Sequence, residues 1–366
     1  MARRRPALAS EPVRWWILAP AGALVLALAP VPAWVVDQIY SRDMYPWLQT
    51  WLTMATNLLP LAVLDVLVVG LVALVVVRIA RLWRVAHKRG FVDATWEALR
   101  RVVRFSAVIA ILFLWTWGCH YRRLPLETSL PGGTAASPSQ SSLRVAVAEA
   151  NALAARLRPG LADVDQSYEA LAGQLRVPMN TALEALDRPV LRTPGRPKYS
   201  LILTPYFTMA GVNGMLNPFA LEAIVHPDLL PFERAFVLAH EWGHLAGQAD
   251  EAEASAVGWL ACMHGPPAAA YSASLYLIIE ASAALPGSAR RAVIGQLDPG
   301  VRRDLEAITV RQQRRSPRVQ RVAVRAYDEF LRANRVEDGT ASYARALTLI
   351  LSPSIYDAMG GYTPSR

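Results

Sequence analysis

Three long apolar runs open the chain, and after residue 142 helical spacing of apolar and polar positions takes over. The first run spans Trp15 to Val36, the second roughly Leu58 to Val77 with Asp65 as its sole charge, and the third roughly Val102 to Gly118. Each is close to the ~20 residues needed to cross a hydrocarbon core of ~30 Å. Pro20, Pro30 and Pro32 predict a kink in the first. Trp15, Trp16, Trp34, Trp83, Trp115 and Trp117 stand near run ends, where an interfacial aromatic belt places them. The first run is long and no small-x-small cleavage site follows it, so it reads as a retained anchor rather than a removed signal. An acid inside a membrane is a functional expectation by default, but Asp65 has no partner visible in the sequence.

Leu130 to Ser142 is rich in Pro, Gly and Ser and reads as a linker. Beyond it, Leu143 to Leu157, Leu161 to Leu175 and Met179 to Leu186 carry Ala and Leu at helical spacing, and Pro189 to Pro197 is a loop. Tyr199 to Met209, rich in β-branched and aromatic residues, and Met215 to His226 predict two or three short strands, with a hairpin around Gly211 to Gly214. Helices are expected over Pro231–Ala246, Asp250–Met263, Ala268–Ala284, Pro299–Arg311, Pro317–Asn334 and Thr340–Leu351. The expected organisation is a three-span anchor over 1–119, a linker over 120–142 and a mainly α domain over 143–366 with a small strand region ahead of its central helix.

Charge supplies a direction. Only 18% of the 366 residues are charged, against about 25% in soluble domains, which fits a chain partly solvated by lipid. The net charge is +9, and the excess is largely Arg beside the apolar runs, where phospholipid head groups lie. No nucleic-acid module signature is present. Arg3, Arg4, Arg5 and Arg14 precede the first run, and eight Arg or Lys residues crowd the segment between the second and third (Arg78, Arg81, Arg84, Lys88, Arg89, Arg100, Arg101, Arg104). The loop from Asp37 to Asn57 holds one Arg and two Asp. The positive-inside rule puts both basic segments in the cytoplasm and everything after Gly118 outside it. Three spans with one isolated acid make no transport pathway. Cys119 and Cys262 belong to no CxxC pair and read as buried free thiols.

The chemistry concentrates in LAHEWGHLAGQADEAEAS. His240 and His244 lie four apart, hence on one helical face, and can offer imidazole nitrogens to one ion; Glu241, one step round, can reach an activated water without being a ligand. Pro231 suits a first helical turn and Gly247 the position that ends the helix. A catalytic zinc takes three protein ligands and an open position. Asp250, Glu251 and Glu253 are the acids that follow. Asp250 completes an HExxHxxGxxD spacing, which resembles metzincins with an aspartate ligand. Glu251 opens a segment that resembles the Glu-x-[Glu/Gln]-Ala-[Asn/Asp] helix of gluzincin-type peptidases, whose first Glu binds metal. Ser255 stands where that pattern has Asn or Asp, on the face to support the site. Glu251 is the favoured third ligand, with Asp250 as a helix cap and Glu253 as a solvated surface acid.

Matching stretches extend the likeness along most of the chain: Tyr40-Ser41, Tyr45-Pro46, Trp117-Gly118, Tyr121-Arg122, Leu124-Pro125, Gly211, Gly214, Asn217-Pro218, Glu222-Ala223, the HEWGH helix, Leu260-Ala261-Cys262, Tyr327-Asp328, Leu331, Gly339 and Ser342-Tyr343. In these the chain resembles the bacterial membrane family catalogued as domain of unknown function 3810. The resemblance implies three N-terminal spans in the cytoplasmic membrane and an extracytoplasmic, gluzincin-like (zincin-type) zinc-peptidase domain; it supplies no substrate. The expected function is a membrane-anchored zinc metallopeptidase acting on a peptide or protein, with Glu241 as general base. Gly211 and Gly214 are expected at a strand edge that pairs with substrate. Tyr343, Tyr327 and Arg345 are the expected oxyanion donors. The competing expectation is a zinc-stabilised membrane protein that binds a partner or envelope component without catalysis.

Overall fold

In the computed structural model the described residues are 18, 20–22, 29, 31–130, 137–336 and 345–359, and helices dominate them. Most of the first apolar run therefore lies outside the described residues. Its end, Ala33–Val35, passes without a break into a π-helical segment, Val36–Met44, and then into α1, Tyr45–Asn57. The stretch read above as an inter-span loop is thus helical. The wider π turns keep Val36, Tyr40 and Tyr45 on one buried face, and that burial decides the conformation.

α2, Val63–Arg89, runs away from the rest of the molecule; the chain turns at Gly90, and α3, Phe91–Thr116, returns packed against it. Within α2, the 22 residues Val63–Arg84 are long and apolar enough to cross a membrane, about 33 Å at ~1.5 Å per residue. This is the one such helix among the described residues, and only 6% of its apolar window is buried. The third apolar run forms the end of α3 and falls short, because Arg100, Arg101 and Arg104 break the window its length requires. Asp65 is not isolated: its carboxylate accepts from the Ser200 hydroxyl and, at 2.7 Å, from the Leu201 amide.

Residues 118–130 pack rather than link. Gly118–Arg122 and Leu126–Thr128 are short 3-10 turns, and Trp117, Leu126 and Leu130 share a core with the helices that follow. Residues 131–136 lie outside the described residues. Ser139 caps α4, Gln140–Leu157, by accepting from the Ser142 amide. α5 is one helix, Tyr168–Ala185, where two segments were expected, and it tolerates Pro178 within it.

The strand region is smaller than the sequence pattern predicted. Residues Thr204–Ala210 form a helix, α6, with Pro205 in its first turn and Gly211 (φ +78°) as its left-handed exit. β1, Gly214–Asn217, and β2, Glu222–Val225, pair antiparallel, so the hairpin turns at 218–221 and not around Gly211 to Gly214. Lys198 bridges the far side of β2. The rest is helical: α7 Pro231–Leu245, α8 Glu251–Met263, α9 Pro267–Ala284, α10 Gly287–Gly295, α11 Pro299–Gln312, α12 Pro317–Ala333, α13 Arg345–Ile350 and α14 Pro353–Ala358. α8 lies at the centre, packed on α5, α7 and α13, with α9 bridging α4 and α7. Every residue from Glu251 to Cys262 is buried.

Candidate metal centre

α7 is set at both ends by local chemistry. Pro231 fits the first turn, and Glu233 accepts from the Leu230 amide at 3.0 Å while Arg311 grips the same carboxylate. At the exit, Gly247 has φ +92°, and a Cβ there would lie 2.7 Å from the His120 ring. Both backbone sense and space therefore demand glycine. The turn brings the Gln248 carbonyl back to accept from His244 Nδ1 at 2.7 Å, which fixes a proton on that nitrogen and turns Nε2 toward Glu251. Asp250 then caps α8, accepting from the Ala252 and Glu253 amides at 2.9 and 3.2 Å. α8 thus begins with Glu251 facing α7. The two backbones touch, since a Cβ on Gly258 would lie 2.8 Å from the His240 nitrogen.

That approach brings His240, His244 and Glu251 together. One donor atom from each lies within 4.8 Å of the others, and Glu251 Oε2 is 3.3 Å from Nε2 of both imidazoles. Donors ~2.0–2.1 Å from a tetrahedral ion stand about 3.3–3.4 Å apart, which is the spacing of Glu251 from each imidazole. Ser255 lies 3.2 Å from His240 Nδ1, and Tyr327 donates to Glu251 Oε1. Each of the three side chains is therefore oriented by an outer partner, as zinc ligands are.

Glu241 points to the same space. It is buried, its Oε2 has no hydrogen-bond partner, and its other oxygen would be 2.5 Å from a Cβ on Gly214. β1 consequently approaches the carboxyl as only glycine allows. Burial pushes this carboxyl up to about 8. Burial opposes charge on His244 as well, but the Glu251 carboxylate outweighs it and raises the imidazole to about 9. Burial depresses His240. An orphaned carboxyl oxygen beside a His-His-Glu donor set is what a dication and its water would satisfy.

The other expectations sort differently. Asp250 is a cap and pairs with Arg345, so neither is turned to the donor triangle. Glu253 is not a solvated acid: it is buried, accepts from the Leu126 amide at 2.7 Å and lies 4.0 Å from Arg188. Tyr327 supports Glu251, and Tyr343 lies outside the described residues. Gly211 ends α6 against the Arg315 side chain instead of forming a strand edge. His120 is buried 3.3 Å from Ser41. Sequence reasoning missed Trp117, whose ring stands edge-on to His244 at 6.2 Å, and Tyr276, which stacks on Phe236 and faces Ser255. The aromatic spacing of α7 and α9 is the only trace Tyr276 leaves in the sequence.

The centre opens into a cleft of about 840 Å³. On its wall, Met215 and Asn217 face β2, while Lys198 occupies the alternate positions on β2's far side. Antiparallel alternation turns the amide and carbonyl groups of Gly214 and Leu216 away from β2, along an edge that no strand pairs with among the described residues.

A family model described as "Protein of unknown function (DUF3810)" matches residues 40–351. No curated protein and no solved structure matches the chain.

Proposed function

The chain belongs to the DUF3810 family, and on that footing we propose that it is a membrane-anchored zinc metallopeptidase that hydrolyses peptide bonds. The observation that carries this reading is the convergence of two Nε2 atoms and the Glu251 carboxylate at 3.3 Å, beside an unpartnered buried Glu241 carboxyl. His240, His244 and Glu251 would hold the ion. An ion held there would supply Lewis-acid chemistry, polarising a carbonyl and lowering the pKa of a water toward ~7. Glu241 would act as the general base that takes a water proton at its carboxylate and passes it to the leaving amine. Its desolvated position suits both roles, because burial holds its proton affinity high. Gln248 and Ser255 keep both imidazoles turned inward, and Tyr327 holds Glu251. The free edge at Gly214 and Leu216 lines up an extended peptide as an added strand.

α2 crosses the membrane in this reading. The arginine distribution supports a site outside the cytoplasm, at the bacterial cytoplasmic membrane, on the reading that the first and third apolar runs are further spans. Metal analysis and a peptide-library assay on the full-length protein test the proposal. Glu241→Gln should keep its zinc and lose activity by about 10²–10⁴-fold. A zinc-loaded wild type that cleaves nothing overturns catalysis and leaves the binding protein. Unchanged zinc in His240→Ala overturns the ligand set.

A further inference from the structure

The cleft joins the candidate centre to the apolar helix pair. Phe113, one turn before the end of α3, lines it and packs on Phe330 of α12 and on Phe219 in the β hairpin. Trp117 follows at the end of the same helix and reaches His244. The start of α2 is fixed to the same hairpin: Glu222 of β2 accepts from the Val63 and Leu64 amides at 3.0 and 2.8 Å. The span thus begins where the strand pair beside Glu241 ends, with no spacer. Around that junction Leu58 (84%), Leu61 (53%) and Leu201 (71%) stand exposed, and Leu201 is held there by Asp65. α12 forms another wall. Tyr327 and Phe330 line the cleft, while Arg318, Arg321 and Arg325 are exposed on the same helix, the pattern of a helix lying among phosphate head groups.

We infer that the substrate is a polypeptide anchored in the same bilayer and cut in an apolar stretch directly beside its anchor. The cutting rests on the zinc-peptidase reading; the seat rests on the cleft. The occupant is polypeptide because the free groups of Gly214 and Leu216 need an extended backbone to bond with, which an acyl chain lacks. It is apolar because aromatic and aliphatic side chains line the cleft from α3 and α12. It is membrane-proximal because one helical turn from Phe113 to Trp117 and one ring contact separate α3 from the centre. That distance is about 12 Å, or three to four extended residues.

The test co-reconstitutes the full-length protein with single-span polypeptides in phosphatidylethanolamine–phosphatidylglycerol vesicles. A Leu/Phe-rich segment is placed either at the end of the span or beyond Gly/Ser spacers of increasing length. Zinc-loaded wild type reports cleavage, and Glu241→Gln reports occupancy by photocrosslinking from the segment. The adjacent segment should be cut and crosslinked about tenfold more than the segment on the longest spacer. Phe113→Ser and, separately, Val324→Ser should reduce that ratio severalfold. A site raised above the bilayer would instead give its maximum at a long spacer. That outcome, or crosslinking that is absent or independent of spacer, overturns the inference. Crosslinking that follows the spacer without any cleavage overturns the peptidase reading alone.

Discussion

α8 and α2 are both strongly apolar helices, yet their surroundings are opposite. α8 is buried from Glu251 to Cys262 and carries Glu251, Glu253 and Ser255 inside the protein, each with a polar partner. α2 turns Val66 (61%), Val72 (56%) and Val76 (60%) outward, and the acid in its apolar stretch, Asp65, sits in the first turn where Ser200 meets it. The acids do not separate the two, since both helices carry them in the first turn; what surrounds the remaining turns does. The later turns of α8 are closed in by α5, α7 and α13, whereas the exposed valines of α2 beyond Asp65 can be solvated by lipid.

The largest break comes where the two regions are tied. Lys198 and Glu222 are both 1% exposed and pair at 2.9 Å, and Glu222 also holds the first amides of α2. Glu222→Ala leaves a buried ammonium and two amides short of partners and should cost about 3–5 kcal/mol, read as thermal stability in nanodiscs. Next, Gly258→Ala drives a methyl into the α7 backbone and should cost about 3 kcal/mol, with zinc affinity falling as α8 moves away. Tyr327→Phe leaves Glu251 without its outer donor and should weaken zinc about tenfold by competition titration, at little cost to folding. Smallest of all, Val72→Thr should change stability by less than about 0.5 kcal/mol, whereas the same change at the buried Val257 should cost more than 1 kcal/mol. Equal effects at these two valines would erase the contrast between the regions.

Much of the candidate centre was legible because its signals are local. The i, i+4 imidazoles, Pro231, Gly247 and the cap at Asp250 all act within a few residues, and Ser255 fell on the side its spacing predicts. Glu253 was misread because acids early in a helix are usually wet, and Leu126, 127 residues away, gives no sign in the sequence of the amide it offers. Tyr327 stands beside the centre, but its contact with Glu251 is not legible in the sequence, since the two lie 76 residues apart. At α6 the β-branched composition of 199–209 favours a strand, but Pro205 and Gly211 bracket a helix of that length. α1 was hidden because a polar stretch between apolar runs reads as a loop until its buried face is seen against the core. Neither of the other two expected spans is shown among the described residues, for separate reasons: one lies largely outside them, and the other is interrupted by arginines.

The turn after α7 is covered by parts of the chain that precede the helical domain. Tyr45 donates to the Leu245 carbonyl at 3.0 Å, His120 lies over Gly247, and Ser41 sits beside His120. A shortened chain beginning at residue 143 would uncover the bend that aims Gln248 at His244. Solubility gained by trimming would cost the His240–His244–Glu251 cluster its roof, so the helical domain and the apolar helices before it are a single folding unit rather than a head on a removable stalk.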